Sequence, residues 1–392
     1  MKTVRDIQLS GRRILLRVDF NVPMDEELRI TDDSRIQRVL DTIRYCIAQN
    51  GKVVVCSHMG RPKGEYQKKF SLEPIAAHLG KLLQQEVKLA PDCVGAQVET
   101  MVNAMQDGEI VLLENLRFHK EETENDPTFS AKLAALADVY INDAFAVSHR
   151  AHASVVGAAE LIPEKGAGFL LEMEMSYFHK AMTDPVRPLA ALVGGAKVSS
   201  KLGALENMLE KVDKMIIGGA MANTFLKSMG IDMGASKIED DLLTAAKRFI
   251  DSAEAKGVKL YFPVDFVAAD SFAADAVTKI VTFRDIPKDW MALDIGPAST
   301  LFFEEALQGA GTIVWNGPMG AFEMDPFARG TMALCRAVAA SNALSITGGG
   351  DSNAAVEKSG EANNISYMST GGGAFLMLME GKTLPGVEIL SR

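Results

Sequence analysis

Short apolar runs rich in β-branched residues recur along the chain, separated by longer stretches whose apolar positions return every three or four residues. The short runs predict strands at 14–18, 52–56, 110–113, 139–141, 189–193, 214–217, 259–262, 291–294, 312–315, 343–347 and 365–368. The amphipathic stretches predict helices at 33–49, 71–84, 199–210, 240–256 and 329–341. Sustained alternation of this kind argues for an α/β fold of parallel sheets with helices on both faces. Proline and glycine cluster at 161–168, marking a boundary, and 169–182 reads as one long helix that stops before Thr183-Asp184-Pro185. A helix there would be a stiff connector between two lobes. No fixed-period repeat or low-complexity tract interrupts the pattern.

Length agrees with that division, since 392 residues exceed one ordinary core. No apolar run approaches the roughly 20 residues that span a bilayer, and the polar, mixed-charge start does not read as a signal peptide. The four cysteines, Cys46, Cys56, Cys93 and Cys335, form no C-x-x-C pair, so reduced thiols in a cytoplasmic protein are expected. A net charge of −10 argues against nonspecific nucleic-acid or membrane binding. Within that acidic total, 11 of the 17 arginines and five of the six histidines lie in residues 1–166. Arginine's planar fork suits carboxylates and phosphates, so the first half is where a small anion would bind, unless these charges simply solvate helix faces.

The common phosphate cradles are missing. The only G-K-T, at 381–383, has Leu376 where a P-loop needs glycine, and no G-x-G-x-x-G occurs, which weakens a dinucleotide-dependent dehydrogenase reading. There is no G-x-S-x-G elbow and no H-E-x-x-H helix. Glycine turns instead follow five predicted strands of the second half: Gly194-Gly195, Gly218-Gly219, Gly317, Gly348-Gly349-Gly350 and Gly371-Gly372-Gly373. Glycine lets a backbone approach a ligand closely, and a helix start offers N–H groups to an anion. One such turn is ordinary; five suggest a ring of donors around a nucleotide. Asp351 and Ser352 stand at a helix start, where they would serve as a cap or hold Mg²⁺ and nucleotide phosphates. Lys197 and Lys201, four apart after Gly194-Gly195, would share a helix face as a solvated pair or as a phosphate grip. In the first half, Asp19 and Asn21, His58 and Arg61, Arg117, and Arg150 with His152 all fall just past predicted strands, and Arg35 near a helix start. Separately each could be a surface ion pair; converged, they make a cationic pocket for a small phosphorylated acid.

The motifs RVDFNVP (17–23), SHMGRP (57–62), ENLRF (114–118), DAFAVSHRAHAS (143–154), GGAKVSSKL (194–202), GGAMANTFL (218–226), WNGPMGAFE (315–323), GGGDS (348–352) and STGGGAFL (369–376) resemble, in order, those of the phosphoglycerate kinase family. The resemblance spans essentially the whole chain. It departs at Ala146-Val147-Ser148, where many relatives have Gly-Thr-Ala, and at Ser352, where threonine is common. It implies two Rossmann-like lobes joined by a long helix and hinge: 1–167 with about 378–392 returning to it, a connecting helix at 168–183, and 184–377. It implies reversible phosphoryl transfer between 1,3-bisphosphoglycerate with ADP and 3-phosphoglycerate with ATP, by a monomer that closes around its substrates. The glycerate site implied is Asp19, Asn21, Arg35, His58, Arg61, Arg117 and Arg150, with His152 in support. The nucleotide site implied is Gly194, Gly195, Lys197, Lys201, Gly218, Gly219, Leu293, Asn316, Pro318, Glu323, Gly349, Gly350, Asp351 and Ser352. Asp351 would hold the Mg²⁺, Glu323 the ribose hydroxyls, and Arg35, Lys197, Gly371 and Gly372 the migrating phosphoryl group. The competing readings are a dehydrogenase, which would want the missing glycine fingerprint, and a non-catalytic anion-binding protein, which would tolerate loss of Arg35, Lys197 or Asp351.

Overall fold

The computed structural model describes residues 1–392. Contacts divide the chain into two units, Met1–Met175 with Thr383–Arg392, and Ser176–Lys382. The division falls inside the helix Phe169–Met182.

The first unit is built on six parallel strands: β1 (Arg13–Val18), β2 (Lys52–Cys56), β3 (Lys88–Leu89), β4 (Ile110–Leu112), β5 (Val139–Asp143) and β6 (Glu164–Ala167), in the order β3-β4-β2-β1-β5-β6. Runs such as Val53-Val54-Val55 in β2 and Ile110-Val111-Leu112 in β4 are buried throughout, as expected of strands covered on both faces. The order reverses at β1, which pairs with β2 on one side and β5 on the other. That reversal opens a crevice at the C-terminal ends of the central strands, where such sheets hold ligands. The chain's last residues complete this unit. Leu384, Ile389 and Leu390 are buried, Gly386 N–H donates to Ser148 O at 2.9 Å, and Asn142 Nδ2 donates to Gly386 O at 2.9 Å.

The second unit has β7 (Leu189–Val193), β8 (Lys214–Ile217), β9 (Lys259–Tyr261), β10 (Asp265–Ala269), β11 (Thr278–Thr282), β12 (Met291–Ile295), β13 (Thr312–Asn316), β14 (Leu344–Thr347) and β15 (Tyr367–Met368). Six of them form a parallel sheet in the order β15-β14-β13-β7-β8-β9. Its reversal lies between β13 and β7, and Trp315 is fully buried there among Leu192, Ile313 and Phe303 in the unit's core.

The structure departs from the expected pattern in three places. β10, β11 and β12 make a separate antiparallel sheet, so the strand expected at 291–294 does not belong to a parallel one. The Pro/Gly stretch at 161–168 contains β6, which pairs with β5. The helix expected at 33–49 is two helices, Ser34–Gln37 and Leu40–Ala48, because Val39 N–H bonds to Ile36 O, three residues back, and tightens the turn.

Candidate active site

In the first unit, the residues singled out by sequence sit along one edge of the sheet. Asp19 and Asn21 follow β1, His58 and Arg61 follow β2, Arg117 lies beyond β4, Arg150 lies beyond β5, and Arg35 is on the short helix Ser34–Gln37. Asp19 is their hub. Its carboxylate accepts from Arg35 Nη1 at 2.7 Å and from Asn21 N–H at 3.1 Å, and lies 3.8 Å from His58 Nδ1. Gly60 couples this group to its neighbours: its N–H donates to Asn21 Oδ1 at 2.8 Å and its carbonyl accepts from Arg117 Nη1 at 2.7 Å. Arg61, Arg117, Arg150 and His152 line one open pocket of about 530 Å³, together with Lys63 and Lys120.

Crowded cations leave their mark on one another. Burial, then Arg150 and Arg17, bring the Arg117 guanidinium down to about 10. Burial, then the surrounding arginines, bring His152 down to about 4 and hold His58 well below the usual imidazole value. Both histidines are therefore neutral at pH 7. Such a pocket is short of negative charge, and a phosphate or carboxylate entering it would relieve the repulsion.

In the second unit, all five glycine turns follow strands of the parallel sheet and so share its C-terminal edge. They are packed against one another. Gly194 N–H donates to Asn316 O at 3.0 Å, Gly195 N–H to Pro318 O at 2.9 Å, and Gly219 N–H to Met319 O at 3.1 Å. A Cβ on Gly194 would lie 2.1 Å from Pro318 O, so glycine is needed there to bring backbones together. The expected ring of free donors is thus partly used by the fold. What faces outward are the helix starts at Gly350–Ser359 and Gly372–Met379, whose first-turn N–H groups have no acceptor within their own helices. A cleft of about 520 Å³ runs beside the first of these, lined by Gly195, Gly219, Leu293, Pro318, Glu323 and Asp351.

The two lysines do not share a helix face. The helix expected at 199–210 begins only at Leu202, because Glu239 takes the N–H groups of Val198 and Ser199 (2.5 and 3.1 Å) and holds the preceding segment as a turn. Lys197 is exposed, whereas Lys201 turns inward and donates to Gly194 O at 2.7 Å and Asn316 O at 2.9 Å. Burial pulls Lys201 down to about 8, against an upward pull from Asp351. Ser352 is fully buried; its hydroxyl accepts from Gly317 N–H at 2.6 Å and donates to Gly348 O at 3.0 Å, so it ties two turns together. Asn316 does the same with Nδ2 on Gly348 O at 2.7 Å.

Asp351 is an exposed hard-oxygen ligand on the first turn of Gly350–Ser359, and beside it nothing lies within 4 Å of where a Gly350 side chain would project. That arrangement fits a magnesium ion held by one carboxylate plus ligand phosphates. Asp92, Cys93 and His119 also gather within 4.8 Å, but their contacts are closed: His119 pairs with Asp92 at 2.6 Å, and the buried Cys93 thiol donates to Glu114 O at 2.9 Å. The other three cysteines are buried and free.

Several site residues carry no motif signal. Phe266, Phe272 and Met291, on or next to the antiparallel sheet, give the cleft its apolar wall. Asn115 is fully buried inside ENLRF; its Nδ2 donates to Met59 O and Phe70 O, and its Oδ1 accepts from Arg117 N–H at 3.0 Å, which fixes the loop bearing Arg61 against the one bearing Arg117.

The sequence model of the family described as phosphoglycerate kinase matches residues 4–382. A phosphoglycerate kinase of Desulfotalea psychrophila is 70% identical over 390 residues, covering 100% of both chains. One of Citrifermentans bemidjiense is 56% identical over 382 residues, covering 97% of this chain and 96% of its own. Among solved structures, phosphoglycerate kinase from Coxiella burnetii superposes with a TM-score of 0.92 at 42% identity, over 99% of this chain and 98% of that one. The enzyme from Pyrococcus horikoshii superposes with a TM-score of 0.85 at 34% identity, over 100% and 98%.

Proposed function

The chain belongs to the phosphoglycerate kinase family, and from that premise we propose how its residues divide the work. The reaction is reversible phosphoryl transfer between 1,3-bisphosphoglycerate with ADP and 3-phosphoglycerate with ATP, a kinase step whose acceptor is a carboxyl group. The observation that carries the residue assignment is the convergence of Arg61, Arg117 and Arg150 on one pocket at the ligand-binding edge of the first sheet. These arginines, with Asp19, Asn21, Arg35 and His58, hold the glycerate. In the second unit, Leu293 and Pro318 form part of the slot for the base, and Glu323 accepts from the ribose hydroxyls. Lys201 and the start of Gly350–Ser359 take the phosphates. Asp351 would hold Mg²⁺, which when bound neutralises phosphate charge.

Transfer is direct and in line: a terminal oxygen of ADP bonds to phosphorus while the bond to the carboxylate oxygen breaks, without a phosphoenzyme. Such chemistry asks the protein mainly for positioning and charge stabilisation. Arg35, Lys197 and the amides at Gly371 and Gly372 supply it around the migrating group. Removing one preorganised donor costs about 100-fold or more in turnover. In a coupled assay with 3-phosphoglycerate, ATP and Mg²⁺, Arg35→Ala and Lys197→Ala should therefore lose turnover far more than substrate affinity. Unchanged turnover in either variant removes that residue from the mechanism.

One substrate bound to each unit must reach the other, so the units must close, with a hinge in 166–183 and near the C-terminal return. Closure would also keep water from the acyl phosphate. X-ray scattering with both substrates should show a smaller radius of gyration than with neither; identical profiles would rule the closure out. A cytoplasmic setting is part of the same reading, supported by four buried free thiols, and so is a monomeric state, which sedimentation checks. No helix is long and apolar enough to cross a membrane.

A further inference from the structure

Beneath the cationic pocket lies a buried polar chain that the residue assignment above does not use. Glu122, on the helix Lys120–Glu124, is fully buried. Its two carboxylate oxygens accept from Ser154, one from the N–H at 2.9 Å and the other from the hydroxyl at 2.7 Å. The same hydroxyl accepts from Arg17 Nε at 2.9 Å. Arg17, at the end of β1, is also fully buried; its Nη1 donates to Val18 O, and its Nη2 lies 3.3 Å from His58 Nδ1.

The chemistry of these groups leaves one arrangement. A guanidinium has only donors, so a hydrogen bond between Arg17 and His58 requires a bare Nδ1. The Asp19 oxygen, the other polar group near that nitrogen, is 3.8 Å away and too far to accept a proton from it. A neutral imidazole with bare Nδ1 carries its proton on Nε2. Burial, then Arg17, Arg117, Arg150 and Arg35, disfavour a second proton. Arg17 is held in turn by the Ser154 hydroxyl, which must give its one proton to Glu122 because it accepts from Arg17.

We propose that Glu122, Ser154 and Arg17 form a positioning chain that locks His58 as the neutral tautomer with its proton on Nε2. His58 then offers a donor to the glycerate without adding a further charge among the arginines. Glu122 and Arg17 do not touch substrate in this scheme; they act through His58. The functional consequence rests on the glycerate-site reading above, whereas the tautomer itself does not.

The test is nitrogen NMR on histidine-labelled protein, with His58→Gln used to assign the His58 signals. The wild-type protein without substrate should show a protonated Nε2 and a bare Nδ1 at pH 7. A protonated Nδ1, or an imidazolium at pH 7, overturns the proposal without any variant needing to fold. Glu122→Gln cannot accept from both Ser154 donors and should release the chain. The expected result is a mixture of His58 tautomers and a KM for 3-phosphoglycerate raised about 10-fold, with the KM for ATP unchanged. A folded variant with the wild-type tautomer and KM also overturns it. Titration with 3-phosphoglycerate separates the premise: His58 signals that do not move refute the site reading, while the tautomer still decides the chain.

Discussion

Lys201 shows how a residue can serve the fold and a ligand together. Its ammonium joins the turns after β7 and β13 by bonding to Gly194 O and Asn316 O. Burial favours the uncharged amine, so the folded protein holds this proton less tightly than the unfolded chain, and stability rises with pH between about 8 and 10.5. A nucleotide phosphate nearby would restore the charge. Binding of Mg-ADP at pH 9 should therefore take up close to one proton, and far less at pH 7, as calorimetry in buffers of different ionisation enthalpy would show. No uptake at pH 9 would separate Lys201 from the phosphates. The glycines of this edge divide by the same logic. Gly317 has a φ of +102°, and a Cβ there would lie 2.3 Å from Gly194 O. Gly317→Ala should cost about 2 kcal/mol or more in a denaturant titration, from backbone strain alone. Gly350 has open space where its side chain would go. Gly350→Ala should fold as well as the wild type yet raise the KM for ATP, because the added methyl occupies the approach to the helix start.

Among the elements, the helix Phe169–Met182 begins on a buried carboxyl. Asp143 Oδ1 accepts from Leu171 N–H at 3.0 Å, its Oδ2 has no partner, and burial raises the group to about 7 despite help from Thr42 and the helix amides. The native protein then binds this proton more tightly than the unfolded chain does, so the stabilisation is complete below pH 3.8 and lost as pH rises through about 7. Measured against Asp143→Asn, the wild type should lose up to about 4 kcal/mol of stability over that range. A parallel pH dependence in the two proteins would show that Asp143 does not titrate there.

This helix was legible residue for residue, since its apolar spacing and the stop at Thr183-Asp184-Pro185 leave little choice. So were the strands β2, β7 and β8, whose runs are apolar on both faces. β11 was not, because four of its five residues are exposed and no hydrophobic alternation marks it. β6 was hidden for a related reason: its sequence, Glu-Lys-Gly-Ala, reads as a break, and pairing with β5 makes it a strand. The site residues past strand ends could be placed by position alone. The direction of Lys201 could not, because it depends on Glu239, a residue 38 positions away.

At the scale of the whole molecule, the first unit depends on residues made last. Leu384, Ile389 and Leu390 are buried in it, and each buried side chain of this size contributes about 1.5–3 kcal/mol. Deleting 383–392 should therefore destabilise the first unit and spare the second. Both tryptophans, Trp290 and Trp315, lie in the second unit, so the two outcomes can be told apart. In the truncated protein, urea should remove part of the far-ultraviolet dichroism well before tryptophan emission shifts; coincident transitions at the wild-type midpoint would contradict this. On the ribosome the same return reverses the usual N-to-C schedule. About 200 residues separate Met175 from Thr383, which is about 10–40 s of translation at 5–20 residues per second. Throughout that interval the nascent first lobe has an open seam, and by its end the later-made lobe has all its strands. Molecular chaperones therefore have most to shield at the beginning of the chain, and a stall in translation just short of the end exposes the half that was synthesised first.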